Sequence, residues 1–155
     1  MKTNAMRTLD QLKIPYQVVE FKVSKEHMDG EEVARLVSRN VEEVFKTLVV
    51  CDKDDLVVCL IPVSEHVDLK KLSKASGHKS LSMLPLNQLT QKTGYQRGGC
   101  SPIGMKKLYP TYIHESCLEQ EVIAISGGHR GCQIIIDPHQ LIECINIKVG
   151  DYVQG

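Results

Sequence analysis

The chain has 155 residues, 42% of them hydrophobic and 25% charged, and its nineteen basic and nineteen acidic residues cancel to a formal net charge of zero. That length supplies one domain, residues 1–155, able to bury a core without disulfides or metals, and the charge balance excludes a global field that would draw in nucleic acid or an anionic membrane. No apolar stretch reaches the ~18 residues of a membrane span and no signal-peptide core opens the chain, so it reads as soluble, cytoplasmic and without a membrane partner.

Thr3 or Asn4 caps a first helix, in which Met6, Leu9 and Leu12 recur at helical spacing until Pro15 closes it. Residues 16–21 are β-prone and predict a strand, and the polar segment 24–27 predicts a loop. Asp29, with Glu32 three residues on, makes a capping box for a helix through Val33, Ala34 and Val37, and a short turn starts at Asn40 and Glu43. The most strand-like part comes next: residues 47–51 and 56–62, joined by Asp52-Lys53-Asp54-Asp55 as a hairpin loop. Asp68 caps a helix with Leu69, Leu72 and Ala75 inward and Gly77 at its end, and 85–92 is a further short helix. A glycine-rich loop, 94–104, precedes strands at 111–114, 121–126 and 132–136, a helical turn begun by Asp137-Pro138, and a last strand at 144–149. The direct strand-to-strand turns are too short for helical crossovers, which argues against a doubly wound parallel sheet. The predicted class is α/β of an α+β kind: a single domain with a mixed, partly closed β-sheet flanked by short helices.

Three features carry the chemistry. Lys46 is a lone cation in the apolar run Val44-Phe45-Lys46-Thr47-Leu48-Val49-Val50. It either snorkels to water or points into a pocket, where it would bind a phosphate, a ribose oxygen or a carbonyl developing negative charge. The first glycine loop is Gly94-Tyr95-Gln96-Arg97-Gly98-Gly99-Cys100-Ser101-Pro102-Ile103-Gly104, and the second is Ser126-Gly127-Gly128-His129-Arg130-Gly131. Paired glycines let a backbone approach a ligand closely, although a plain turn explains either loop by itself. Cys100 and Ser101 tempt a nucleophile reading, but neither has a neighbouring base in sequence. Arg130 is suited to holding a phosphate or carboxylate, or to organising its own loop. Neither G-x-x-x-x-G-K-[ST] nor G-x-G-x-x-G occurs, so nucleotide cofactors have no support. The six cysteines form no C-x-x-C or C-x-x-H pair, which makes a zinc site improbable; no metal and no cofactor are expected. Lys70, Lys71, Lys74, His78 and Lys79, with Arg97, Lys106 and Lys107, offer a local basic patch for RNA or simply a solvated face.

Taken together and in this order, Phe45-Lys46-Thr47-Leu48, the first glycine loop with Lys106-Lys107 after it, and the second glycine loop resemble the YbaK/ProX aminoacyl-tRNA deacylase family over nearly the whole chain. The likeness is greatest to the free-standing cysteinyl-tRNA(Pro) deacylases. The resemblance implies hydrolysis of the ester between a small amino acid and the acceptor end of tRNA, correcting mischarging by prolyl-tRNA synthetase, with the substrate thiol assisting cleavage. It places Lys46, Gly98 and Ser126 at the reacting end and Phe21, Gly99, Ser101, Gly127, Gly128, Arg130 and Gln133 around the substrate, with Cys100 a bystander. Two positions depart from the family pattern: Gln133 stands where an aspartate is common, and Phe21 where a tyrosine is often found. The alternatives are a non-catalytic module that binds the acceptor end or the synthetase, and a deacylase for another small amino acid such as alanine.

Overall fold

Helix starts and stops follow contacts that are local in the chain. The computed structural model describes residues 2–23 and 28–155, so the loop expected at 24–27 lies outside the described residues. Helix α1 (Asn4–Gln11) and strand β1 (Gln17–Glu20) precede α2 (Gly30–Leu36), and β2 (Phe45–Asp52) and β3 (Asp55–Pro62) form the central hairpin. Helix α3 (Leu69–Ser76), β4 (Ser82–Met83) and α4 (Leu86–Thr93) lead into the first glycine loop. Strands β5 (Thr111–His114), β6 (Ile123–Ser126) and β7 (Cys132–Ile136), helix α5 (Pro138–Cys144) and β8 (Lys148–Gly150) follow. Thr3 accepts from the Met6 amide at 3.2 Å, Asp29 from Glu32 at 2.8 Å, Asp68 from Lys70 and Lys71 at 3.0 Å, and Asp137 from His139 at 2.9 Å. Gly77 and Gly94 close α3 and α4 in the left-handed conformation.

Some expectations shift. Leu12, expected on the buried face of α1, is the C-cap residue and 49% exposed, because the helix ends before it. The four-residue hairpin loop tightens to two residues, since Asp52 pairs with Asp55 and Lys53 takes φ 56°. The last strand is shorter than expected: α5 runs to Cys144, Asn146 turns the chain with φ 54°, and pairing begins only at Lys148. The two-residue β4 has no sequence signal, because it is too short to show a period.

The strands form two sheets. One has order β1-β7-β6, all antiparallel; the other has order β4-β2-β3-β5-β8, with β5 parallel to both β3 and β8. A parallel bridge between Val44 and Ala124 joins them. The main core lies between their inner faces, where Phe45, Val49, Val58 and Leu60 meet Ile123, Ile125, Ile134 and Ile136 under Leu9 of α1 and Leu141 of α5. Each such side chain contributes about 1.5–3 kcal/mol when fully buried. On the outer faces, Leu72 of α3 covers Val50, Val57, Cys59 and Ile61, and Ala34 of α2 with Val37 at its C-cap covers Val44, Ala124 and Ile135.

Candidate active site

Period-two alternation along β2 sends Phe45 and Val49 into the main core, so Val44, Lys46 and Leu48 face the other way. The register then builds a row across both sheets. Lys46 and Ser126 each stand two residues beyond the bridged pair Val44–Ala124, on parallel strands. Ser126 pairs with Gln133 across β6 and β7, and Gln133 pairs with Val19 across β7 and β1. Phe21 lies one step further, where its amide donates to the Gly131 carbonyl at 2.9 Å. Lys46, Ser126, Gln133 and Phe21, scattered through the sequence, thus share the face that α2 partly covers.

The row is polar in a partly dehydrated place. Lys46 is partly buried, and desolvation draws its pKa below the ordinary lysine value against the opposing pull of the Glu65 carboxylate. The Gln133 Oε1 is buried and has no hydrogen-bond partner among the described residues. The Ser126 Oγ accepts from the Gly128 amide at 3.3 Å, which fixes the start of the second glycine loop beside the row.

The two glycine loops pack directly on each other. A Cβ on Gly99 would stand 2.7 Å from the His129 Cα and 2.9 Å from its carbonyl carbon, and one on Gly98 would stand 3.0 Å from the Arg130 Cγ. Only glycine allows this approach, and Gly98 adds a left-handed φ of 81°. Arg130 therefore lies along Gly98 with its side chain exposed, a position from which it organises the joint between the loops. Gly127 is required by a different neighbour, the Cys132 sulfur, which a Cβ there would meet at 2.4 Å. Gly128 approaches Thr3, whose Cβ would lie 2.8 Å from a Cβ added to it.

Thr3 is the residue that motif reading misses. Its hydroxyl caps α1 and also donates to the Gly127 carbonyl at 2.6 Å, while Gly104 of the first loop rests on the Asn4–Ala5 backbone. The N-terminus of α1 thereby pins both loops at once. A cap signal is present in the sequence, but the second role of Thr3 is a contact with a residue 124 positions away.

Ser101 and Cys100 face inward. Ser101 is wholly buried and its Oγ accepts from the Ile103 amide at 3.2 Å, so it shapes the turn around Pro102. The Tyr95 hydroxyl holds the same turn by donating to the Ile103 carbonyl at 2.5 Å. Burial pushes the Cys100 thiol up to about 11, far from the depressed values of reactive thiols. Peptide mapping after iodoacetamide treatment at neutral pH is expected to show Cys100 almost unmodified in the native protein and fully modified after unfolding. Rapid native labelling would contradict its burial.

A partly buried cation in one row with a serine and an amide, with the second glycine loop beginning at that serine, is an arrangement suited to an anion or a polarised carbonyl. The chain belongs to the aminoacyl-tRNA editing domain family, which matches residues 25–144. It is 47% identical over 146 residues to an Enterococcus faecalis protein named "Putative Cys-tRNA(Pro)/Cys-tRNA(Cys) deacylase EbsC", covering 94% of this chain and 89% of the relative. It is also 27% identical over 78 residues to the proline–tRNA ligase of Thermosipho africanus, covering 50% of this chain and 14% of that enzyme. Among solved structures, one titled "Crystal structure of a putative trans-editing enzyme for prolyl tRNA synthetase" superposes with a TM-score of 0.85 at 23% identity, covering 100% of this chain and 99% of that one. That likeness bears out the mixed α/β, single-domain editing fold.

Proposed function

We propose that this chain is a free-standing, trans-editing aminoacyl-tRNA deacylase that hydrolyses cysteine mischarged on tRNA(Pro) in the cytoplasm. The observation that carries the reading is the row Lys46–Ser126–Gln133 at the mouth of the glycine loops, in a member of the editing family. The Lys46 ammonium neutralises the acceptor-end phosphate or the oxyanion that forms as the ester carbonyl is attacked. Gly98, Gly99, Gly127 and Gly128 let the two loops close on each other and on Thr3 and Cys132, and the wall so formed borders the terminal adenosine and its acyl group, while Ser126 and Phe21 border the small amino acid. Ser101 acts behind the wall, through loop shape, and Arg130 through the joint between the loops.

No protein nucleophile is required. The substrate sulfur adds to the ester carbonyl, the ribose oxygen leaves with the thiol proton, and water opens the resulting thioester to free cysteine. The buried Gln133 Oε1 supplies a neutral acceptor for the substrate ammonium in place of a carboxylate. Neutral overall charge limits affinity for free tRNA, and prolyl-tRNA synthetase is the partner that would raise the local concentration of substrate.

The deciding assay follows cysteine release from Cys-tRNA(Pro) by the purified protein with EDTA present. Release above the uncatalysed rate is expected, with slower cleavage of Ala-tRNA(Pro) and Pro-tRNA(Pro). Binding without turnover, even with the synthetase added, would instead identify a non-catalytic acceptor-end module. Equal rates for the alanyl and cysteinyl esters would rule out thiol assistance. Cys100→Ala is expected to keep the activity and to lose about 1 kcal/mol of stability through a small cavity; a tenfold loss of activity in a folded variant would restore Cys100 as a nucleophile.

A further inference from the structure

Glu20, His129 and Cys132 offer one donor atom each, and these atoms all lie within 4.8 Å of one another. They come from three places: β1, the second glycine loop and β7. Glu20 and Cys132 are directly paired across the two strands, which puts both side chains on one face. His129 reaches over from the loop, three residues before Cys132. Cysteine spacing alone conceals the cluster, because the pair is H-x-x-C rather than C-x-x-C and its third member lies more than a hundred residues away.

We infer that these three side chains form a binding site for a divalent cation of zinc type. The donor set is a thiolate, an imidazole and a carboxylate, the mixture that favours zinc over the hard cations magnesium and calcium. A neighbouring carbonyl fixes the tautomer of the imidazole. Its Nδ1 lies 2.8 Å from the Arg130 carbonyl, which can only accept, so Nδ1 carries the proton and Nε2 presents its lone pair. Gly127 leaves the room that the sulfur occupies, since any Cβ there would meet Sγ at 2.4 Å. Tetrahedral zinc places its ligand atoms about 3.5 Å apart, and rotation of the two exposed side chains, Glu20 and His129, closes the remaining distance onto the buried cysteine. On binding, the Cys132 thiol gives its proton to solvent, and the fourth position is left to water.

The site is distinct from the row of Lys46, Ser126 and Gln133. Glu20 and Cys132 alternate with Val19 and Gln133 along the same strands, so they face the opposite side of the sheet. A bound ion would therefore act by tying the second glycine loop to β1 and β7 rather than by touching the substrate, and cleavage in EDTA is compatible with it.

Titration of the reduced, metal-free protein with Co2+ and with Zn2+ tests this without any activity measurement. One equivalent of Co2+ is expected to give the thiolate-to-cobalt charge-transfer band, displaced by one equivalent of Zn2+, with the unfolding temperature rising as Zn2+ is added. His129→Ala, on an exposed side chain outside the core, is expected to weaken Zn2+ binding at least tenfold, and Glu20→Gln to weaken it as well. Cys132→Ser should abolish the cobalt band. Absence of the band in the wild-type protein, or Zn2+ affinity unchanged in His129→Ala, would overturn the proposal. The His129 variant serves even where the Cys132 variant fails to fold.

Discussion

Lys46→Met is expected to lower kcat/KM for Cys-tRNA(Pro) cleavage by about 10²–10³-fold, the range seen when one electrostatic contact to a developing oxyanion is lost, without lowering the unfolding temperature. Methionine keeps most of the aliphatic stem that packs on the sheet face and removes only the ammonium. The stability half of the expectation follows from the lowered lysine pKa, which burial causes and Glu65 opposes. A lysine whose folded pKa lies below its unfolded value destabilises the fold wherever both states carry the proton. That cost is relieved only as pH rises through the folded pKa toward the unfolded one. At neutral pH the wild-type protein bears the cost in full, so removing the charge leaves stability unchanged or raised. Thermal unfolding and steady-state kinetics on the same preparation check both halves. Activity within threefold of wild type would remove Lys46 from the site, and a marked drop in unfolding temperature would assign it a structural role.

Gly99→Ala is expected to cost about 1–3 kcal/mol of stability through overpacking and about 10²-fold in activity through displacement of the loops. The added methyl would stand 2.7 Å from the His129 Cα and 2.9 Å from its carbonyl carbon, both backbone atoms that cannot rotate aside. The two loops must separate, which displaces the second loop where it leaves Ser126. Gly77→Ala is the matched comparison. Gly77 has φ 77° but nothing within 4 Å of an added Cβ, so its substitution brings backbone strain of about 1 kcal/mol and no loss of activity. A Gly99→Ala variant as active as Gly77→Ala would show that the packing of the loops does not shape the site.

The parts of the fold that read correctly from sequence rest on short-range contacts. Thr3, Asp29, Asp68 and Asp137 cap helices because their acceptors lie within three residues of the amides they serve. The β2–β3 hairpin is likewise local, with apolar β-branched runs on both sides of a turn. Strand β4 was not legible, since two residues carry no period and the strand exists only through its pairing with Val50 and Cys51. The division into two sheets was also hidden, because it depends on which distant strands pair, β1 with β7 in one sheet and β3 with β5 in the other.

For the candidate site, residue types and motif order already point to Lys46, the two glycine loops, Ser126 and Gln133, and to the editing family, because close backbone approach demands glycine wherever it occurs. Their chemistry is local, but their assembly is not. Only the tertiary structure turns Ser101 and Cys100 inward, seats Thr3 on the second loop, and sets Lys46, Ser126 and Gln133 in one row. Only the tertiary structure, too, gathers Glu20, His129 and Cys132 on the opposite face. Side-chain direction alternates along a strand, so which groups meet is decided by strand register, and register between distant strands is set by burial across the whole core.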